Sequence, residues 1–189
     1  WDLFKYPGIR SDSDMHTLGF RFKPWIHDKS IADGPSIMEY LHETIDEYKL
    51  KDNISLNHKV KKANWCSKNS NWELKVKVDD VEQNMTCNFL FLCGGYYSYT
   101  QPHMPYFKNQ ENFQGQIIHP QFWDESLDYE NKKIVVIGSG ATAVTIVPAI
   151  AKKADHVVML QRSPTYVVSG PSEDALNKFL RKILPVKLT

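Results

Sequence analysis

Apolar and polar residues alternate with two different periods along the chain, and these periods predict a mixed α/β protein. Four consecutive apolar residues, 134–137, run directly into a Gly-x-Gly-x-x-Ala pattern that begins at Gly138. Apolar residues with helical spacing follow up to Ala151, and a second strand is predicted at 156–160, where four apolar residues follow His156. The order strand, tight turn, helix, strand is that of a dinucleotide-binding βαβ unit. We expect such a unit over 132–160, with a kink in its helix at Pro148.

Two further segments have the period of an amphipathic helix. The sequence Asp33-Gly34-Pro35-Ser36 is a helix-start signal, and the predicted helix ends near Leu50. A last helix is predicted to begin at Pro171-Ser172-Glu173-Asp174. The apolar residues predicted to line the buried faces are Ile37, Leu41, Ile45 and Tyr48 in the first helix and Leu176, Phe179, Leu180, Ile183 and Leu184 in the second.

The middle of the chain has the period of β-strands. Strands are predicted at 54–56, 60–65, 72–78 and 81–87, and the strict alternation in 72–78 indicates a half-exposed antiparallel strand. The uninterrupted apolar run 89–93 predicts instead a strand buried on both faces in a parallel sheet. The predicted fold is therefore α/β, with a small antiparallel meander inserted between parts of a parallel sheet.

The glycines of the βαβ turn suit the binding of a pyrophosphate. Gly138 allows the sharp turn, Gly140 lets the backbone approach the phosphates, and the small Ala143 lets the helix pack close to the strand. The amides at the start of the helix then point at an anion.

The residues after the second strand of the unit indicate which nucleotide binds. An NAD site normally has an acidic residue about 20 residues after the glycines, whereas this strand ends in Gln161-Arg162-Ser163. A guanidinium suits a 2'-phosphate, so we favour NADP over NAD. The alternative is that Arg162 is a solvated surface residue.

Composition excludes several other classes of protein. The 189 residues have a net charge of +1, so there is no electrostatic footprint for nucleic acid, and no apolar run is long enough to span a membrane. The three cysteines have no C-x-x-C spacing and the seven histidines are scattered, so neither a disulfide framework nor a metal site is predicted. With no signal-peptide layout at the start, a cytoplasmic setting is expected.

Two stretches contain polar residues whose role the pattern leaves open. Residues 10–14, Arg-Ser-Asp-Ser-Asp, lie within an aromatic-rich segment. They are either a loop over a flat, polar-edged ligand or a plain surface turn, and the residues alone favour the turn. His119 lies among apolar residues in a Pro-rich connection and is interpreted as a hydrogen-bonded structural residue.

The motif around His119 carries a resemblance to a known family. Phe113-x-Gly115-x-x-x-His119-x-x-x-Trp123-Asp124 resembles the fingerprint of Baeyer–Villiger monooxygenases, a branch of the class B flavoprotein monooxygenases that uses FAD and NADPH. Residues 1–15 resemble the segment after the family's flavin loop, in the form found in the subgroup that includes the mycobacterial ethionamide-activating monooxygenase. The similarity covers essentially the whole chain.

The resemblance implies roles for individual residues. Trp1 and Asp2 would lie along the flavin, and the backbone of Val60 would meet the FAD adenine. Asp12 would touch flavin and nicotinamide, with Arg10 and Ser11 beside it, and is the candidate catalytic residue together with His119. The residues implied for NADPH are Gly138, Ser139, Gly140, Ala141, Thr142, Ala143 and Val144 for the pyrophosphate and Arg162 and Ser163 for the 2'-phosphate. His119 and Trp123 would couple domain movement rather than act as acid or base.

The family's architecture implies a partial flavoprotein with two dinucleotide-binding domains. Residues 1–105 would be part of the FAD domain including the meander, 106–131 the interdomain linker, and 132–189 the start of the NADPH domain. The family's first Gly-x-Gly-x-x-Gly loop and its active-site arginine are missing. The resemblance therefore implies an internal fragment that is inactive by itself.

The implied reaction is the insertion of one oxygen atom of dioxygen into a ketone, or the oxidation of sulfur, through a peroxyflavin intermediate. A plain flavin-containing heteroatom monooxygenase and a non-catalytic NADP-binding module are the alternatives. A flavin disulfide reductase would need a redox cysteine pair, which the sequence lacks.

Overall fold

The computed structural model describes residues 1–185, which form two compact units. One unit comprises residues 1–44 and those from 101 onward, and the other comprises Ile45–Thr100. In chain order the helices and strands are α1 (Met15–Leu18), α2 (Gly34–Glu47), β1 (His58–Cys66), β2 (Asn71–Val78), β3 (Val81–Cys87), β4 (Lys133–Ile137), α3 (Ala141–Ile150), β5 (His156–Leu160) and α4 (Ala175–Leu180), with short 3-10 turns at Lys51–Asn53, Gln110–Asn112 and Pro120–Phe122.

The predicted βαβ unit is present in the first unit. β4 and β5 are parallel and in continuous register from the pair Lys133–His156 to the pair Ile137–Leu160. α3 connects them and packs on both strands, burying Ala143, Ile146 and Ile150 as the helical spacing predicted. The helix continues through Pro148 and ends two residues later, which limits the loss from the missing amide to the last turn. The kink at Pro148 stays a prediction.

The core of the first unit lies between α1, α2 and the chain around Trp25. Its buried members are Met15, Trp25, Ala32, Ile37 and Tyr40. The predicted helix of 34–50 is confirmed in position, but its inward face differs from the prediction. Tyr40 and Thr44 are buried with Ile37, while Tyr48 is exposed. Both residues enter the core because their hydroxyls find partners: that of Tyr40 donates to the Lys23 carbonyl, and that of Thr44 donates to the Tyr40 carbonyl.

The second unit contains the predicted antiparallel meander. Its strand order is β1-β2-β3, and both pairs are antiparallel. Val76, at the centre of β2, is almost fully buried, and the rings of Trp65 and Trp72 meet edge to face at 5.7 Å between centroids. The register of β1 shifts between Val60 and Lys62, which marks a bulge. That this sheet is an insertion in an FAD domain stays a prediction.

Two predicted strands of the second unit do not form. Residues 54–56 follow the 3-10 turn Lys51–Asn53 and pair with no strand. The run 89–93, predicted as a buried parallel strand, is irregular, and Phe89, Phe91 and Leu92 are 81–84% exposed. Apolarity predicts burial, but a parallel strand also needs a neighbour with which to share hydrogen bonds. No strand of residues 1–185 lies beside this run.

The last helix starts where predicted but turns its predicted buried face outward. Asp174 caps α4 by accepting from the Asn177 amide. Asn177 is buried, and the polar side of the helix contacts residues 16–28. Lys178 pairs with Asp28 at 2.7 Å. Arg181 donates to the Trp25 carbonyl and contacts His16 Nδ1. Four apolar residues of the helix and of the turn after it are exposed: Leu176, Phe179, Ile183 and Leu184. Hydrogen bonds and ion pairs thus orient this short helix in place of apolar burial.

Candidate functional site

The glycine turn between β4 and α3 has the backbone geometry that its sequence predicted. Gly138 has φ = 137°, a conformation that side chains disfavour, and its amide donates to the Leu160 carbonyl at 2.9 Å. That bond joins the carboxyl ends of β4 and β5. Ala143 is buried directly behind the turn. A larger residue at 143 would separate α3 from the strand, so the small side chain keeps the start of the helix at the sheet edge.

The start of α3 presents amides that the helix itself does not use. Gly140 is the N-cap residue with extended backbone, and the first helical bond runs from the Val144 amide to the Gly140 carbonyl at 3.0 Å. The amides of 141–143 precede that bond and lie outside the helical ladder. A Cβ built on Gly140 would meet no atom within 4 Å, so the space above the turn is open. An anion placed there would meet free donors at the positive end of the helix dipole.

The loop after β5 returns to the glycine turn. Arg162 and Ser163 are exposed at the end of β5. Beyond them, the Thr165 hydroxyl donates to the Ser139 Oγ at 3.1 Å. This bond links the segment that carries Arg162 to the turn that carries Ser139. The sequence does not predict the role of Thr165, because a lone threonine after a proline carries no signal of a contact 26 residues away in the chain.

The segment Arg10-Ser11-Asp12 alternates in burial. Ser11 is 1% exposed, and its amide and hydroxyl are both bonded to Ala32. Arg10 and Asp12, on either side of Ser11 in the sequence, are exposed. The Ser11 side chain therefore holds the segment in place, while Arg10 and Asp12 are the side chains available to a ligand.

Three other predicted cofactor residues are placed on exposed surface. Trp1 is exposed, and the Asp2 carboxylate pairs with Lys5 at 3.2 Å. Val60 lies in the second unit at the β1 bulge, where the ladder register with β2 shifts. Val60 itself pairs with Val76 and Lys62 pairs with Lys75, so the extra residue at the bulge is Lys61. The role of the Val60 backbone in binding FAD stays a prediction.

The side chain of His119 forms a hydrogen bond with the backbone two residues later. Its Nδ1 accepts from the Gln121 amide at 3.2 Å and caps the 3-10 turn Pro120–Phe122. The pKa of His119 is lowered, first by burial and second by the neighbouring His103. The neutral ring is the form that can accept this bond, with the proton assigned to Nε2. Trp123 follows the turn and packs edge to face on Tyr129 at 6.0 Å.

Asp124, the last residue of the fingerprint, also accepts hydrogen bonds from a residue two positions later. Its carboxylate accepts from the Ser126 amide at 2.8 Å and from the Ser126 hydroxyl at 2.6 Å. These two bonds lower the pKa of Asp124, which keeps the carboxylate ionised. The polar residues of the fingerprint thus serve as turn-forming acceptors within 119–126.

Metal sites and membrane-spanning helices are both absent from the part of the chain that the structure describes. Among residues 1–185 no group of three or more His, Cys, Asp and Glu side chains is arranged to hold a metal ion. Within the same residues no helix is long and apolar enough to cross a membrane.

Comparison with known proteins identifies relatives over nearly the whole chain. The model of the family described as flavin-binding monooxygenase-like matches residues 25–180. The chain is 54% identical over 189 residues to the FAD-containing monooxygenase EthA of Mycolicibacterium smegmatis and 52% identical over 190 residues to the probable FAD-binding monooxygenase AlmA of Acinetobacter baylyi. All of the chain is covered in both cases, and it spans 38% of the length of each relative.

Solved structures show the same arrangement of elements. The oxidized steroid monooxygenase bound to NADP matches with a TM-score of 0.77 at 25% identity, over 96% of this chain and 35% of the other. The complex of OTEMO with FAD and NADP matches with a TM-score of 0.68 at 27% identity, over 87% and 32%. The α/β fold is therefore that of part of a flavin monooxygenase with two dinucleotide-binding domains.

Proposed function

The chain belongs to the flavin-binding monooxygenase-like family, and from that premise we propose that it is part of an FAD- and NADPH-dependent monooxygenase of the Baeyer–Villiger type. The proposed reaction places one atom of dioxygen in a ketone, giving an ester or lactone, or on the sulfur of a thioether. The fingerprint that ends in Trp123 and Asp124 supports this subtype. The relative from Mycolicibacterium smegmatis is named as an FAD-containing monooxygenase, and the OTEMO structure contains FAD and NADP.

The observation that carries the proposal is the turn from β4 into α3, with Arg162 at the end of β5. Gly140 leaves open space over the free amides of 141–143, which fits a pyrophosphate. An exposed guanidinium with no acidic residue next to it in the sequence fits a 2'-phosphate. The Thr165–Ser139 bond links the loop after β5 to the glycine turn, which supports their assignment to one site. We assign NADPH to this site, with Gly138–Val144 at the pyrophosphate and Arg162 and Ser163 at the 2'-phosphate.

The FAD side of the site is assigned to the first 12 residues and to Val60. FAD supplies the redox chemistry when bound: it takes a hydride from NADPH and passes electrons to dioxygen. The chain's own part is positioning and charge. Arg10 and Asp12 are exposed next to the buried Ser11. The role proposed for the Asp12 carboxylate is to hold a cationic side chain near the substrate oxygen, where negative charge develops. The proposed division is FAD domain 1–105, linker 106–131 and NADPH domain from 132.

The test uses the complete gene product, purified with its flavin. NADPH oxidation is followed with a cyclic ketone and with an aryl methyl sulfide under ¹⁸O₂, and products are analysed by mass. A lactone that carries one ¹⁸O atom, formed with NADPH and at a much lower rate with NADH, is the expected result. Asp12→Asn should abolish product formation, while Asp52→Asn, an exposed acid in the second unit, serves as the matched control.

Two other outcomes would replace the proposal. Sulfoxide without lactone would identify a plain heteroatom monooxygenase, which shares all features except those around Trp123. A complete gene product that binds NADP+ but no flavin would identify a non-catalytic NADP-binding module.

A further inference from the structure

The turn Tyr6-Pro7-Gly8-Ile9 lies directly against α3. The Ile9 amide donates to the Tyr6 carbonyl at 3.3 Å, and Gly8 has φ = 76°. Pro at the second position and a residue with positive φ at the third are the signature of a type II turn. The backbone conformation alone therefore favours glycine at position 8.

Packing requires glycine there for a second, independent reason. A Cβ on Gly8 would lie 2.8 Å from the Ala149 Cβ and 3.0 Å from the Thr145 carbonyl oxygen. The first separation is shorter than real Cβ contacts, and the second is at their tight limit and involves a backbone atom of Thr145, which cannot rotate away. The backbone of the turn thus touches α3 with no side chain between them.

The chain that follows Gly8 is anchored on its other side to residues 30–34. The Ile9 carbonyl accepts from the Gly34 amide at 2.9 Å, and the amide of Met15 donates to the Ser30 carbonyl at 2.7 Å. Ser11, between them, is bonded to Ala32 through its amide and its hydroxyl. Residues 8–15 are therefore fixed from both sides. The backbone that carries the exposed Arg10 and Asp12 is therefore held by these bonds.

Gly8 contacts the same helix whose first residues form the proposed pyrophosphate site. Thr145 and Ala149 lie four and eight residues beyond Ala141, the first residue of α3, which is about 6 and 12 Å along the helix axis. One helix thus carries the proposed pyrophosphate site at its start and the Gly8 contact in its second and third turns. A change at the contact shifts the Asp12 segment relative to the start of the helix.

We propose that Gly8 is a positioning residue for hydride transfer, because its contact with Ala149 and Thr145 sets the distance between the segment that carries Asp12 and the NADPH-binding helix. This inference rests on the proposed function. In the step concerned, a hydride with its two electrons leaves the nicotinamide of NADPH, which becomes NADP+, and adds to the flavin, which is reduced. A misplacement of about 1 Å in such a step costs on the order of a hundredfold in rate.

The test measures anaerobic flavin reduction by NADPH in the complete gene product, by stopped flow over a range of NADPH concentrations. Gly8→Ala adds the Cβ from the side of the turn. Ala149→Val adds bulk from the side of the helix and leaves the positive-φ turn untouched, so it keeps the test valid if Gly8→Ala fails to fold. Gly8→Ala combined with Ala149→Gly removes the nearest clash. Gly170→Ala is the matched control, since a Cβ there meets no atom within 4 Å.

The expected result is a limiting rate of flavin reduction that falls by about tenfold or more in Gly8→Ala and Ala149→Val. The dissociation constant of NADPH should change by less than about threefold, since the pyrophosphate site is unaltered. The double variant should recover part of the rate, because the Ala149 contact is removed while the Thr145 contact and the positive φ remain. Unchanged limiting rates in both single variants, or a loss that lies wholly in NADPH affinity, would overturn the role of Gly8. A wild-type flavin that NADPH does not reduce would instead overturn the proposed function itself.

Discussion

Ser11 and Ala32 exchange two hydrogen bonds. The Ser11 amide donates to the Ala32 carbonyl at 2.8 Å, and the Ala32 amide donates to the Ser11 hydroxyl oxygen at 3.1 Å. Both residues are 1% exposed, so water cannot take the place of either partner. The side chain at position 11 therefore completes a backbone pairing that the chain cannot make by itself.

Replacement of Ser11 by Ala should lower the free energy of unfolding by about 1–3 kcal/mol, because the Ala32 amide is left buried without an acceptor. Urea unfolding of the 189-residue chain measures this change. Ser13→Ala, two residues away and exposed, should change the value by less than about 0.5 kcal/mol. An unchanged stability in Ser11→Ala together with weaker NADP+ binding would show that the hydroxyl serves the ligand.

Gly138 and Gly140 are expected to respond to alanine in opposite ways. Gly138→Ala should cost about 1–3 kcal/mol of stability, since φ = 137° strains any side chain. Gly140→Ala has no such strain and meets no protein atom, so the unfolding free energy should change by less than about 1 kcal/mol. Its Cβ instead occupies the open space above the amides, and NADP+ affinity should fall by about tenfold or more. Paired denaturation and calorimetric binding experiments separate the two effects, and equal losses of stability would contradict the assignment.

Arg162→Ala should weaken the binding of 2',5'-ADP by about tenfold or more, with little effect on 5'-AMP, because only the former carries the 2'-phosphate. Titration calorimetry at two salt concentrations measures both ligands. Arg21→Ala removes an exposed arginine elsewhere in the same unit and controls for net charge. If the two variants lose affinity equally, the effect is one of overall charge and Arg162 is a solvated surface residue.

The turn at His119 should be less stable in acid. The folded-state pKa of His119 lies below 6.5, so as the pH falls the unfolded chain takes up this proton before the folded chain does. The stabilisation is fully present above pH ~6.5 and is lost as the pH decreases toward the lower folded value. An NMR titration of the ring should give the lowered pKa. His119→Asn, which keeps an acceptor for the Gln121 amide but does not titrate, should flatten the dependence, whereas the exposed His42→Asn should not.

Elements whose own residues determine their structure were predicted well. β2 and β3 were placed to within one residue, because alternation at period 2 and a turn between them define a local antiparallel pair. The βαβ unit was predicted for the same reason: its glycines, its helical spacing and its two apolar strands are contiguous in sequence. The part of the candidate site that lies on this unit therefore follows from local sequence alone.

Features that depend on distant partners were not predicted. The run 89–93 has the composition of a core strand, but the pattern cannot say whether a neighbouring strand is present. Tyr40 and Thr44 were not expected in the core, because the acceptors for their hydroxyls follow from the fold and the polar pattern counts them as exposed. The pair Pro7-Gly8 indicates only a turn, since the contact of Gly8 lies about 140 residues away in the chain at Thr145 and Ala149. The contact of Thr165 and the outward face of α4 were not predicted for the same reason.

The exposed, irregular run 89–93 makes the 189-residue chain prone to aggregation. Its consecutive apolar residues combine strong β-propensity with no charge and an exposed backbone, which is the composition that nucleates intermolecular cross-β pairing. Concentrated preparations should aggregate through this segment, with thioflavin fluorescence that rises with protein concentration. A charged gatekeeper such as Leu92→Lys should delay the onset and leave the unfolding of the βαβ unit unaltered.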